Sequence, residues 1–154
     1  MFATTYRLED VKSTQKAEDY WWISLVINRV SVGATFLIAN YTPFHPNLIS
    51  VFSLFVGVGA ALAFLQATEG WLLCGAILFQ LSLILDSVDG KLARLTGKTS
   101  QLGSMLDIGV GLVVIVSCGS ALVFGQFQID TSDSVIILGI LYLIFYPSMS
   151  GFAV

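Results

Sequence analysis

Three carboxylates and one guanidinium carry most of the chemistry this chain could perform. Asp86, Asp89 and Asp107 stand at the ends of long apolar runs. Ionisable side chains are costly at such places and are usually kept for function. If the helix that contains Asp86 continues, spacings of three, four, seven and eight put Asp86, Asp89, Gly90, Ala93 and Arg94 on one face. Two carboxylates one turn apart do not easily coexist unless a cation holds them. Asp107, one turn into the following helix, can supply a third. Hard oxygen donors of this kind suit Mg²⁺ or Mn²⁺, with water and substrate phosphates completing the shell. Gly90 and Ala93 leave the same face bare, so that a diphosphate could approach the backbone, and Arg94 is a planar phosphate binder. Lys98, Thr99 and Ser100 add donors in the loop that follows. The structural alternative is a set of solvated helix ends, with Asp86 paired to Arg94 across two turns. That would suffice for any one residue. It does not explain five on a stripe followed by Gly103 and Asp107.

The elements that must position these groups are membrane helices. Of the 154 residues, 56% are hydrophobic and 11% charged, too little polar surface for a soluble domain of this length. The net charge of −3 argues against a nucleic-acid partner. Cys74 and Cys118 lie inside apolar runs and read as packing residues. The expected fold is an all-α integral membrane protein. Residues 1–19 form a polar cytoplasmic segment and 20–154 a membrane domain. Four apolar segments are expected to span: Leu48–Leu65, Trp71 to about Leu85 with a polar extension through Arg94, Leu102–Phe124, and residues 135–154. Ahead of them, Tyr20–Asn40 carries a polar stripe of Ser24, Asn28, Ser31 and Thr35 on an otherwise apolar helix. This pattern suits a helix lying in the membrane interface; an ordinary span with its stripe turned toward other helices is the alternative. Pro43 and Pro46 then break the chain, and Asn47 or Ser50 can cap the next helix.

Charge placement sets the expected orientation. Arg7, Lys12, Lys16 and Arg29 precede the first span, and Lys91, Arg94 and Lys98 follow the second. If Tyr20–Asn40 does not span, all seven fall on one side. The positive-inside rule then puts the N-terminus and the Asp86–Gln101 region in the cytoplasm, at the inner or plasma membrane of the cell.

The run Asp86-Ser-Val-Asp89-Gly90-Lys-Leu-Ala93-Arg94, eight residues, then Gly103-Ser-Met-Leu-Asp107 resembles the signature of the CDP-alcohol phosphotransferases, D-x2-D-G-x2-A-R followed by G-x3-D-x3-D. Seven of its eight fixed positions are present. His45-Pro46-Asn47-Leu-Ile-Ser50 resembles the Pro-Asn stretch that opens the family's first span. The resemblance covers about Tyr20 to Phe124, with 48–124 as the family-like core. It implies transfer of a substituted phosphate from a CDP-linked donor, such as CDP-diacylglycerol, to an alcohol acceptor with release of CMP, in phospholipid biosynthesis. It further implies a membrane-lipid environment and a homodimer. By resemblance, Asp86 and Asp107 bridge two divalent cations, Mg²⁺ or Mn²⁺, and Asp89 completes the first metal site. Asn47, Gly90, Ala93, Arg94, Ser100 and Gly103 line the substrate.

Two departures qualify that expectation. The family's last Asp, its proposed base and a ligand of the second metal, falls at Gly111, and no carboxylate occurs between Ile108 and Ile129. Its small size also has a packing use, because glycines let membrane helices approach closely. The family usually has six spans, against four expected here; the further helices normally help to build the acceptor pocket and the dimer interface. Two functional readings therefore stand: a phosphotransferase, or a catalytically impaired relative that binds metal and CDP-lipid as a scaffold or partner. The acceptor alcohol is chosen by side chains outside the signature.

Overall fold

A computed structural model describes residues 6–14, 27–42, 45–97, 99, 101–129, 137 and 139–142, apart from the side chains of residues 102, 104 and 106. Among the described residues the chain is all helix and turn. Its helices are α1 (Leu8–Ser13), α2 (Asn28–Tyr41), α3 (Pro46–Leu65), α4 (Glu69–Leu95) and α5 (Gln101–Ile129). Three are long and apolar enough to cross a membrane: α3, α4 and the Asp107–Ile129 part of α5. The chain is an all-α integral membrane protein.

The helix boundaries follow from local chemistry. Pro46 opens α3, where a missing N–H costs nothing. Its end is turned by Ala67, which takes φ 53°, a left-handed conformation unusual for a residue with a Cβ. α4 runs unbroken through the polar extension for 27 residues, or about 40 Å at 1.5 Å per residue, longer than the ~30 Å hydrocarbon core. Its last turns, with Asp86 to Arg94, can therefore reach the bilayer surface. Gly97, at φ 65°, ends it in the left-handed conformation that glycine adopts without strain.

The described residues fall into two packed groups, one within 1–53 and 83–107, the other within 54–82 and 108–154. In the first, Ile49, Val88 and Leu92 form a small core with Ala34, Ile38, Ala39, Ile84 and Leu85 against it. The polar stripe of α2 is turned inward: Asn28, Ser31 and Thr35 are buried, whereas Val30, Leu37 and Tyr41 are exposed. Asn28 and Ser31 bond to α4, whereas the Thr35 hydroxyl is buried without a hydrogen-bond partner. The 1–19 segment, expected to be merely polar, contains α1. Asp10 accepts a hydrogen bond from the Arg7 backbone N–H at 2.8 Å, Val11 is fully buried, and the Asn40 side chain pairs with both backbone groups of Tyr6 at 3.0 and 3.3 Å.

In the second group, Ala60, Phe64, Val114, Cys118 and Ala121 form the core. Neither cysteine is in a disulfide, and the Cys118 thiol donates to the Gly57 carbonyl at 3.4 Å. The expected fourth span, 135–154, lies mostly outside the described residues. Its helical residues 137 and 139–142 set Gly139 against Val123 and Tyr142 against Gly119, so this piece runs antiparallel to α5.

Gly125 is the tightest backbone approach in this group. A Cβ there would stand 2.6 Å from the Phe64 carbonyl oxygen and 3.2 Å from the Ala67 Cβ. A backbone carbonyl cannot swing aside as a side chain can. Gly125→Ala is therefore expected to destabilise the protein by about 1–3 kcal/mol, the usual cost of overpacking. Gly70→Ala, where nothing lies within 4 Å, should be close to neutral. Thermal unfolding of the two variants in one detergent checks the difference.

Candidate metal and diphosphate site

The end of α4 and the start of α5 bring the three aspartates together. Asp86, Asp89 and Asp107 each offer one carboxylate oxygen, and these oxygens all lie within 4.8 Å of one another. Asp89 is 2% exposed, and the other two are half-buried. Oδ1 of Asp86 and both oxygens of Asp89 are buried without a hydrogen-bond partner. At an effective dielectric constant near 20, two ionised carboxylates 4.8 Å apart repel by about 3 kcal/mol. Buried polar atoms also normally find partners. Converging, unsatisfied oxygen atoms are what a hard divalent cation requires, so the residues present fit such an ion.

The bare face of α4 is present as expected. A Cβ on Gly90 would come within 3.4 Å of the Arg94 Nη2 and 3.9 Å of the Asp107 Oδ2. Gly90 therefore sits between the arginine and the acidic cluster, its backbone uncovered by a side chain of its own. Arg94 is exposed, and its Nε donates to the Gly90 carbonyl at 3.0 Å. The alternative of an Asp86–Arg94 ion pair is not realised: the guanidinium is held on its own helix, one turn back, and Asp86 Oδ1 remains unpartnered. Ala93 is half-buried one turn beyond Asp89, and Gly103 is half-buried one turn before Asp107. Asn47 is exposed in the first turn of α3, and no hydrogen bond ties it to the three aspartates among the described residues. Ser100 and Lys98 lie outside the described residues.

Two features of the site are not apparent from the signature. Ser50, expected only as a cap, is a neighbour of the Asp89 carboxylate. Its hydroxyl satisfies hydrogen-bond geometry with the Pro46 carbonyl, at 3.4 Å, and not with Asp89. A serine one turn into α3 gives no sequence signal for this, because the approach of α3 to α4 is a tertiary event. The other feature is Lys91. Snorkelling to water would be the ordinary expectation for a lysine near a helix end. It is instead 3% exposed and bonded to α2.

The geometry and the sequence converge on one class. The chain belongs to the CDP-alcohol phosphatidyltransferase family, whose model matches residues 43–147. Among curated relatives, it is 40% identical over 62 residues to an archaetidylinositol phosphate synthase of Aeropyrum pernix, a match covering 40% of this chain and 30% of that protein. It is also 42% identical over 62 residues to a bifunctional IPC transferase and DIPP synthase of Thermococcus kodakarensis, covering 40% of this chain and 13% of that protein. The aligned stretch is thus less than a third of either relative.

Proposed function

We propose that this chain transfers a substituted phosphate group from a CDP-linked lipid, such as CDP-diacylglycerol, to an alcohol and releases CMP, as a step of phospholipid synthesis. The observation that supports this most is the meeting of Asp86, Asp89 and Asp107, with buried unpartnered oxygens, directly beside the uncovered backbone of Gly90. The three carboxylates would hold Mg²⁺ or Mn²⁺, and a two-metal site is the family arrangement. When bound, the cations supply charge neutralisation for the diphosphate and for the departing CMP.

The remaining work belongs to the chain itself. Gly90 and Ala93 admit the nucleotide to the α4 backbone, and Arg94 swings from the Gly90 carbonyl onto a phosphate oxygen, which its planar fork suits. Asn47, Ser100 and Gly103 complete the substrate lining. The acceptor hydroxyl oxygen attacks the phosphorus next to the lipid, the P–O bond to CMP breaks, and the hydroxyl proton is lost. Gly111 stands where the family keeps the carboxylate that takes this proton, so in the wild-type chain the proton passes to water. The active site faces the cytoplasm at the cell's inner or plasma membrane, with the basic residues on that side. The protein works as a homodimer.

Because one relative is named an archaetidylinositol phosphate synthase, an inositol phosphate is the acceptor to try first. Release of CMP from CDP-diacylglycerol or its archaeal ether counterpart, with Mn²⁺ or Mg²⁺ and with inositol phosphate, glycerol phosphate or serine, tests the reading. Acceptor-dependent CMP release that chelation abolishes is expected. The absence of CMP under every combination removes the enzymatic reading. The second reading, favoured by Gly111, then remains: an impaired relative that binds metal and CDP-lipid. It predicts metal-dependent CDP binding without turnover, and binding indifferent to metal sinks it.

A further inference from the structure

Lys91 is the one buried cation among the described residues that the proposed chemistry leaves unused. Its Nζ donates to Asn28 Oδ1 at 2.7 Å and to the Ser87 hydroxyl, and the Ser87 hydroxyl donates to Ser31 Oγ at 3.2 Å. Asn28 is 4% exposed and Ser31 fully buried. At about 100° per residue, Lys91 lies roughly 140–160° round α4 from Asp86, Asp89 and Ala93, with Ser87 between it and Asp86. The network thus ties the back of the acidic helix to α2. Taking an ammonium out of water costs several kcal/mol, and apolar side chains of similar volume usually pack as stably or more so. Adhesion between α2 and α4 therefore gives no reason for a lysine here. Directional hydrogen bonds do what apolar packing does poorly: they fix the rotation of one helix against another.

We infer that Lys91 is a positioning residue, which with Asn28, Ser31 and Ser87 pins the rotation of α4 so that Asp86 and Asp89 meet Asp107. The inference rests on reading those three aspartates as metal ligands. Rotation matters because a carboxylate oxygen stands roughly 5–6 Å from its helix axis, so a slip of about 20° would displace it by about 2 Å. Metal–ligand distances keep within about 0.2 Å of their ideal values.

The test is Mn²⁺ binding to the purified full chain in detergent, read as both dissociation constant and sites per chain from the electron paramagnetic resonance of free Mn²⁺. Lys91→Met keeps the length of the side chain and removes its donors. It is expected to weaken Mn²⁺ binding about 10–100-fold, the range seen when groups that orient metal ligands are lost. Asn28→Leu combined with Lys91→Met removes the amide to which Lys91 donates as well, and should recover thermal stability while leaving the affinity weak. This double variant also decides the matter if Lys91→Met folds poorly and loses sites. An unchanged dissociation constant in Lys91→Met overturns the inference, as does an affinity that recovers together with stability in the double variant. A wild-type chain that binds no Mn²⁺ gives a different pattern, and removes the proposed metal site together with this refinement of it.

Discussion

Restoring a carboxylate at position 111 should raise the rate of CMP release by about 10²–10⁴, the usual worth of a general base. The expectation comes from the family resemblance, in which this position carries the base. Gly111 is four residues beyond Asp107 in the continuous helix α5, so it projects from the same side one turn on. In the proposed reaction, and by that resemblance, a carboxylate there would accept the acceptor's proton as the oxygen attacks. It can also add a hard ligand to a second divalent cation. Gly111→Asp improves intrinsic helix propensity slightly, and its cost is a new charge in an apolar segment. Gly111→Asn is the control: it adds the same bulk and no base. A rise in kcat with Asp and none with Asn supports the family reading of this position. Equal rates for wild type, Asp and Asn would mean either that the proton leaves by another route or that the chain does not turn over. An equal rate above zero identifies the first case, and no CMP from any of the three proteins identifies the second.

More of the candidate site than of the packing was legible in the sequence. The spacing of Asp86, Asp89, Gly90, Ala93 and Arg94 prescribes a shared helical face, and α4 supplies it without a break because nothing between Glu69 and Leu95 interrupts a helix. Asp107 was legible for the same reason, as a lone carboxylate one turn into an apolar run. The stripe Asn28, Ser31 and Thr35 was legible as a stripe, but periodicity does not say what a polar face meets. Here Ser31 meets Ser87 and Asn28 meets Lys91, and the exposed side of α2 carries Val30, Leu37 and Tyr41. The burial of Lys91 and the approach of Ser50 to Asp89 had no local signature, since each depends on which helix lies alongside. The docking of α1 through Asn40 was equally hidden, because it uses the backbone of Tyr6 and not its side chain.

Replacing Asp89 by Asn should abolish Mn²⁺-induced stabilisation while making the metal-free protein more stable, and these opposite signs distinguish a metal site from an ordinary polar cluster. Without a cation, Asp89 is 2% exposed, both of its oxygens lack partners, and two other carboxylates stand within 4.8 Å. Each pair of ionised groups at that separation costs about 3 kcal/mol at an effective dielectric constant of 20. Asn has the same shape, carries no charge, and brings two donors toward Asp86 and Asp107. The unfolding midpoint of metal-free Asp89→Asn should therefore lie above that of wild type. With Mn²⁺ at a hundred times its dissociation constant, wild type gains about 2.7 kcal/mol by mass action, a rise in midpoint that the variant should lack. The variant keeps two carboxylates and loses the buried one, so its affinity should fall by about 100-fold or more, beyond the 10–100-fold effect of outer groups. Thermal unfolding of both proteins in chelator and in Mn²⁺ reads all four midpoints. If Asp89→Asn is less stable than wild type in chelator and responds equally to Mn²⁺, the aspartates are held by other means and the cluster is not a metal site.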